Sequence, residues 1–128
     1  MTLTILLLTI TLQLSAPEFR CGYIEKPEKV QPYEALWRAV CIVESNNDIR
    51  AFNKKELAYG IAQIRKVRVD HYNRLTGSHY KVIDCYNPEI SKKIFMYFVT
   101  SDLEQTAKSW NGKGRQTVSY WNKVKKYL

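Results

Sequence analysis

YEALWRAVCIVESNN, residues 33–47, is an apolar helical stripe that runs directly into a polar turn. Leu36, Val40, Val43 and Glu44 recur at helical spacing, so a carboxyl shares the face that should meet a core. Asn46 and Asn47 tolerate left-handed backbone and end the helix. Loss of water around a carboxyl favours its protonated form, and a neutral acid near pH 7 is what general acid catalysis requires. Glu44 is therefore the candidate general acid. A Glu beside an apolar stripe is more often at its solvated edge, so the rest of the chain must decide.

Outward from this helix the chain reads as more helices. Residues 48–59 are irregular and polar, with Asn53-Lys54-Lys55 as a turn signal. A second helix is expected over Lys66 to Leu75, capped by Gly77. Asn87-Pro88-Glu89 opens a third, with Asn as cap, Pro in the first turn and an acid at the positive end of the helix dipole; Ile90, Ile94, Phe95 and Phe98 give it a buried side. Ser101-Asp102-Leu103-Glu104 reads as a capping box starting a fourth helix toward Trp110, and a fifth should run from about Thr117 to Tyr127. Periodicity alone supports a compact, mostly helical protein.

Three short motifs follow Glu44-Ser45 in order: Tyr59-Gly60-Ile61-Ala62-Gln63-Ile64, Trp110-Asn111-Gly112-Lys113-Gly114 and Tyr120-Trp121-Asn122-Lys123-Val124. From about Tyr33 to Leu128 the chain resembles the soluble lytic transglycosylase family of the lysozyme-like superfamily, in which a catalytic Glu-Ser precedes a Gly-x-x-Gln turn and a Tyr-Asn-Gly/Ala-Gly motif. Each string is weak alone; three in order within one small domain are a strong signal. The resemblance implies a mostly α, lysozyme-like single domain over residues 33–128 of the α+β superfamily, with at most a small β-hairpin around residues 48–59.

It also implies a chemistry. Cleaving a β-1,4 glycosidic bond needs a proton for the departing oxygen and stabilisation of an oxocarbenium-like centre. Most glycosidases add a second carboxylate, yet Asp48, Glu56, Asp70 and Asp84 have no motif-based claim to that role. A lytic transglycosylase uses one Glu as acid and then base: the acetamido group of N-acetylmuramic acid assists departure, and the sugar's 6-hydroxyl closes a 1,6-anhydro ring without water. The resemblance gives Glu44 both duties. Ser45 either orients the carboxyl or acetamido group or bonds a backbone carbonyl at the helix end. Gln63, whose amide both donates and accepts, is the Gly-x-x-Gln glutamine. Tyr59 borders the groove or packs in the core. Trp110 stands where the family has Tyr, so an acceptor is lost while a larger stacking face and an N–H donor are gained. Asn111 holds the loop or binds an acetamido group, and Tyr120 offers a phenol. Trp121 and Val124 should pack the last helix.

Composition sets the outer limits. A chain of 128 residues, 45% hydrophobic, holds one domain with a packed core, which excludes disorder as the default. The net charge of +8 attracts polyanions without choosing among nucleic acid, acidic membrane and anionic cell wall; Lys123, Lys125 and Lys126 read as a solvated helix face. Residues 1–16, MTLTILLLTITLQLSA, form an apolar run of export-signal length ending in Ser15-Ala16, although no Lys or Arg precedes it and Leu14 occupies a position where cleavage wants a small residue. A non-cleaved anchor, or a start site set too late in the reading frame, is the alternative; a cleaved signal implies no stable membrane insertion. Pro17 to Pro32 reads as an extended lead-in. With export, Cys21 and Cys85 are a possible disulfide while Cys41 stays a buried thiol. No Cys/His spacing suits zinc, His71 and His79 read as surface or packing residues, and neither metal nor cofactor is expected.

The leading expectation is thus an exported enzyme of the periplasm or cell envelope acting on peptidoglycan glycan strands, in turnover or within a phage, secretion or conjugation apparatus. A hydrolytic muramidase (lysozyme) is the nearest alternative. A noncatalytic cell-wall or nucleic-acid-binding module is the contrasting one, although no recognised nucleic-acid motif is present and nucleic acid is not expected as a partner.

Overall fold

The computed structural model describes residues 31–128. Among these described residues five helices enclose the core: α1 (Pro32–Ser45), α2 (Lys66–Thr76), α3 (Pro88–Tyr97), α4 (Leu103–Asn111) and α5 (Gln116–Val124). A small antiparallel sheet of three two-residue strands, β1 (Phe52–Asn53), β2 (Ala58–Tyr59) and β3 (Ile64–Arg65), lies between α1 and α2 in the chain. The protein is mostly helical with a small β element, as the sequence leads one to expect. The sheet is one strand larger than a hairpin. Phe52 pairs with Tyr59, and Tyr59 with Ile64, so the turn containing Gly60 and Gln63 folds β3 back onto β2.

The stripe of α1 is the centre of the molecule. Leu36 and Val40 are fully buried and Val43 packs partly buried against the same core. Against this face lie α3, α4 and α5, which bring in Ile94, Phe95, Ala107, Tyr120 and Val124. Trp37 meets Phe95 with ring centroids 5.3 Å apart, and Phe95 meets Trp110 edge-on at 4.9 Å, linking α1, α3 and α4 through three aromatic rings.

Helix ends follow their local chemistry. Asn46 (φ 55°) and Asn47 (φ 64°) stop α1 in left-handed backbone, Gly77 (φ 71°) stops α2, and the Asn87 side chain caps α3 by accepting from Glu89 N at 2.9 Å. The capping residue of α4 is Asp102, not Ser101: its Oδ1 accepts from Gln105 N at 2.9 Å, so the cap falls one residue later than the box inferred from Ser101 and Glu104. A short 3-10 helix over Val82–Tyr86 was not signalled by periodicity. Another 3-10 turn, Lys125–Tyr127, finishes α5.

Cys41 and Cys85 are buried, and neither is bonded to another cysteine among the described residues. Burial pushes both thiols up to about 12, so they are neutral. The possible partner Cys21, the export signal and nearly all of the lead-in lie outside the described residues. No helix among the described residues is long and apolar enough to cross a membrane.

Candidate active site

Glu44 ends the apolar stripe one residue before α1 terminates, half-buried in the wall of a cleft of about 210 Å³. Burial raises its pKa from the ordinary 4.5 to about 7, and the negative charge of Glu56 adds a smaller push in the same direction. Two groups oppose that rise, first the hydrogen bond from Tyr120 and then the charge of Arg65. The Tyr120 hydroxyl donates to Glu44 Oε1 at 2.8 Å, and burial beside Glu44 raises the phenol's own pKa, keeping it a donor. Oε2 has no protein partner and is not sealed from solvent. One oxygen is thus fixed by a phenol while the other is free to meet a ligand.

The cleft also contains Gln63, Arg65, Arg68, Trp110, Asn111 and Glu56. Gln63, itself at φ 51°, donates through Nε2 to the Gly60 carbonyl at 3.0 Å, which holds its amide against the turn before β3. Gly60 makes that turn possible. Its φ is +75°, and a Cβ would overlap the carbonyl of Cys85 in the 3-10 helix beneath it. Trp110 donates its indole N–H to the Ala62 carbonyl at 3.3 Å, tying α4 to the same turn and leaving the indole in the cleft wall. Asn111 Oδ1 is the only buried side-chain nitrogen or oxygen among the described residues without a hydrogen-bond partner. An orphaned acceptor in a cleft wall suits a donor from a ligand or a bound water.

Four of the expected ligand-contacting residues, Gln63, Trp110, Asn111 and Tyr120, therefore converge on Glu44 or its cleft. Two do not. Ser45 points its hydroxyl at backbone, donating to the Ile61 carbonyl at 2.7 Å and toward Cys41 O at 3.3 Å, so it pins the Gly60–Gln63 turn to the end of α1. Tyr59 packs between Phe52 and Tyr86, with centroids 4.8 and 5.6 Å away, and is absent from the cleft lining. Its ring serves the sheet.

Of the four acids that have no motif-based claim, Glu56 alone lines the cleft. It sits on the β1–β2 turn, and the sheet carries it to the cleft that Glu44 lines, where it pairs with Arg65 at 3.4 Å. The other acids are spent elsewhere: Asp48 accepts from Arg50 N, Asp70 pairs with Lys66, and Asp84 accepts from Lys81 N to start the 3-10 helix. His71 rests on Phe98 and His79 is exposed. Among the described residues no group of three or more His, Cys, Asp or Glu could hold a metal ion.

Comparison with known proteins finds no matching family model, no matching curated protein and no matching solved structure.

Proposed function

We propose that this protein is a lytic transglycosylase that cleaves the β-1,4 bond between N-acetylmuramic acid and N-acetylglucosamine in peptidoglycan. The observation that carries the reading is Glu44: a half-buried carboxyl brought to about 7 in an open cleft, with one oxygen held by a phenol. The order of the Glu-Ser, Gly-x-x-Gln and Trp-Asn-Gly motifs supports it from the sequence side.

In this reading protonated Glu44 gives its proton to the bridging oxygen as the C1–O bond breaks and the acetamido carbonyl oxygen closes on C1. The resulting carboxylate then removes the proton from the 6-hydroxyl, whose oxygen displaces the acetamido oxygen from C1 and forms the 1,6-anhydro ring. Glu44 is protonated again at the end. Acid–base duty of this kind is typically worth about 10²–10⁴-fold in rate. Asn111 Oδ1 suits an acetamido N–H, and the exposed part of Trp110 suits a sugar face. Export to the periplasm or cell envelope belongs to the same proposal and rests on residues 1–16 alone.

One observation favours a second reading. Glu56 lines the cleft with Glu44, and a second carboxylate could activate water, which would make the protein a hydrolytic muramidase. Digestion of purified peptidoglycan followed by mass spectrometry separates the two. Anhydro-ended muropeptides are expected; reducing ends alone would establish hydrolysis. Intact glycan bound without turnover by both wild type and Glu44→Gln would leave a binding module instead.

A further inference from the structure

Arg68 is a cation in the cleft wall without a carboxylate. Nearby charges are matched, Arg65 with Glu56 at 3.4 Å and Lys66 with Asp70 at 2.5 Å, whereas Arg68 has no acidic partner within ion-pair distance among the described residues. Its guanidinium carbon lies 4.9 Å from the centroids of both Phe98 and Trp110, and Nη2 donates to the Ser109 carbonyl at 3.0 Å. Two rings and one carbonyl therefore hold the fork in place, with most of its five N–H donors unspent. Burial, and then the like charge of Arg65, lower its pKa, an electrostatic cost that an approaching anion would relieve.

A planar, preorganised, unmatched guanidinium is suited to a carboxylate, which it can grip through two parallel N–H···O bonds. Arg65 on the same wall is already paired with Glu56, so of the two arginines lining the cleft it is Arg68 that is left for an incoming anion. A role only as a staple between α2 and α4 would need the rings and the Ser109 bond, but it would not need the fork to line the cleft.

We propose that Arg68 is a specificity residue that binds a carboxylate on the saccharide, so that the cleft selects muramic-acid-containing strands over neutral N-acetylglucosamine oligomers. This rests on the glycan-cleaving reading above. The carboxylate comes from one of two sources: the free lactyl group of a peptide-free strand, or the attached stem peptide.

The test is calorimetric binding to Glu44→Gln protein, which holds substrate without consuming it. Three oligosaccharides of equal length serve as ligands: peptide-free alternating strands, peptide-bearing strands, and a chitooligosaccharide that has no carboxylate. Arg68→Met keeps an apolar stem against Phe98 and Trp110 but removes the fork; Arg68→Lys keeps the charge alone. Expected is a loss of about 10- to 100-fold for Arg68→Met on one or both carboxylate-bearing ligands, the size of a charged hydrogen-bonded contact, with the chitooligosaccharide unaffected. Arg68→Lys should fall between. Whichever strand loses affinity identifies the source. An equal loss on all three ligands, or none on any, would overturn the proposal in favour of the staple. Failure of the parent protein to bind any of the three would overturn the glycan reading itself, and this inference with it.

Discussion

The Tyr120 hydroxyl reaches Glu44 Oε1 at 2.8 Å across 76 residues of chain, joining α5 to the end of α1 at the one carboxyl among the described residues raised to about 7. The two groups act against each other. Burial drives Glu44 toward its neutral form, and the phenol steadies the charged form by donating to it. In the proposed reaction Glu44 releases a proton and takes one back, which needs both forms within reach, and this opposition keeps them near balance.

Replacing Tyr120 by Phe removes the donor while leaving most of the ring. The Glu44 pKa should rise further above 7, because the largest influence lowering it is gone. The alkaline limb of kcat/KM moves to higher pH, and kcat falls by about tenfold as the proton-donating step, which leaves the carboxylate charged, weakens. A pH–rate profile, with NMR titration of the Glu44 carboxyl, measures both. An unmoved alkaline limb would mean that some other group governs it.

Glu44 should also cost the fold stability at alkaline pH. Its pKa is about 7 in the folded protein against an ordinary 4.5, so between these values the native state binds more protons than the unfolded chain and stability falls as pH rises. The full loss is on the order of 3 kcal/mol and is complete above pH 7. Glu44→Gln, neutral throughout and still able to accept from Tyr120, should match wild type at pH 4 and exceed it at pH 8. Urea unfolding at both pH values tests this, and equal stability at pH 8 would contradict the burial argument.

Much of this site could be read from the chain, and the boundary is physical. Leu36, Val40, Val43 and Glu44 share a face by helical geometry, so the burial of Glu44 at the end of the stripe was legible from local spacing, while its candidacy as an acid needed the motifs downstream. Glu56 could be named from sequence only as one of four unplaced acids, since nothing near it says that the β1–β2 turn reaches the cleft. The strands have two residues each, too few for alternation to register, which is why a third one was missed. Arg68 meets Trp110 across 42 positions, an encounter made by tertiary packing. The α4 cap was misplaced by one because Ser101 and Asp102 are both good capping residues, and only backbone geometry selects between them.

Ser45 gives a clean separation between structural and substrate roles. Its hydroxyl bonds the Ile61 carbonyl at 2.7 Å, so Ser45→Ala strips a partner from partly buried backbone. The expected cost is about 1–2 kcal/mol, lowering the thermal midpoint by roughly 5–15 °C in a domain of this size. Affinity of the Glu44→Gln background for glycan should change less than threefold, an estimate of about 0.6 kcal/mol. A large drop in affinity with unchanged melting would reinstate Ser45 as a ligand contact.

Gly60 and Gly77 provide a matched pair for the turn that carries Gln63. Both have positive φ, +75° and +71°, so alanine at either incurs the left-handed penalty, about 1–2 kcal/mol. Only at Gly60 does the added Cβ meet backbone, the Cys85 carbonyl, whereas nothing lies within 4 Å at Gly77. Gly60→Ala must therefore push the turn away from the 3-10 helix and should cost a further 1–3 kcal/mol or so. The displacement also moves the Gly60 carbonyl that holds Gln63 Nε2, so activity should fall more than stability explains, while Gly77→Ala keeps normal kinetics. Chemical denaturation and initial rates on both variants check this. Equal costs at the two positions would show that the turn accommodates a methyl group, and that the close approach of Gly60 to Cys85 does not hold the cleft in shape.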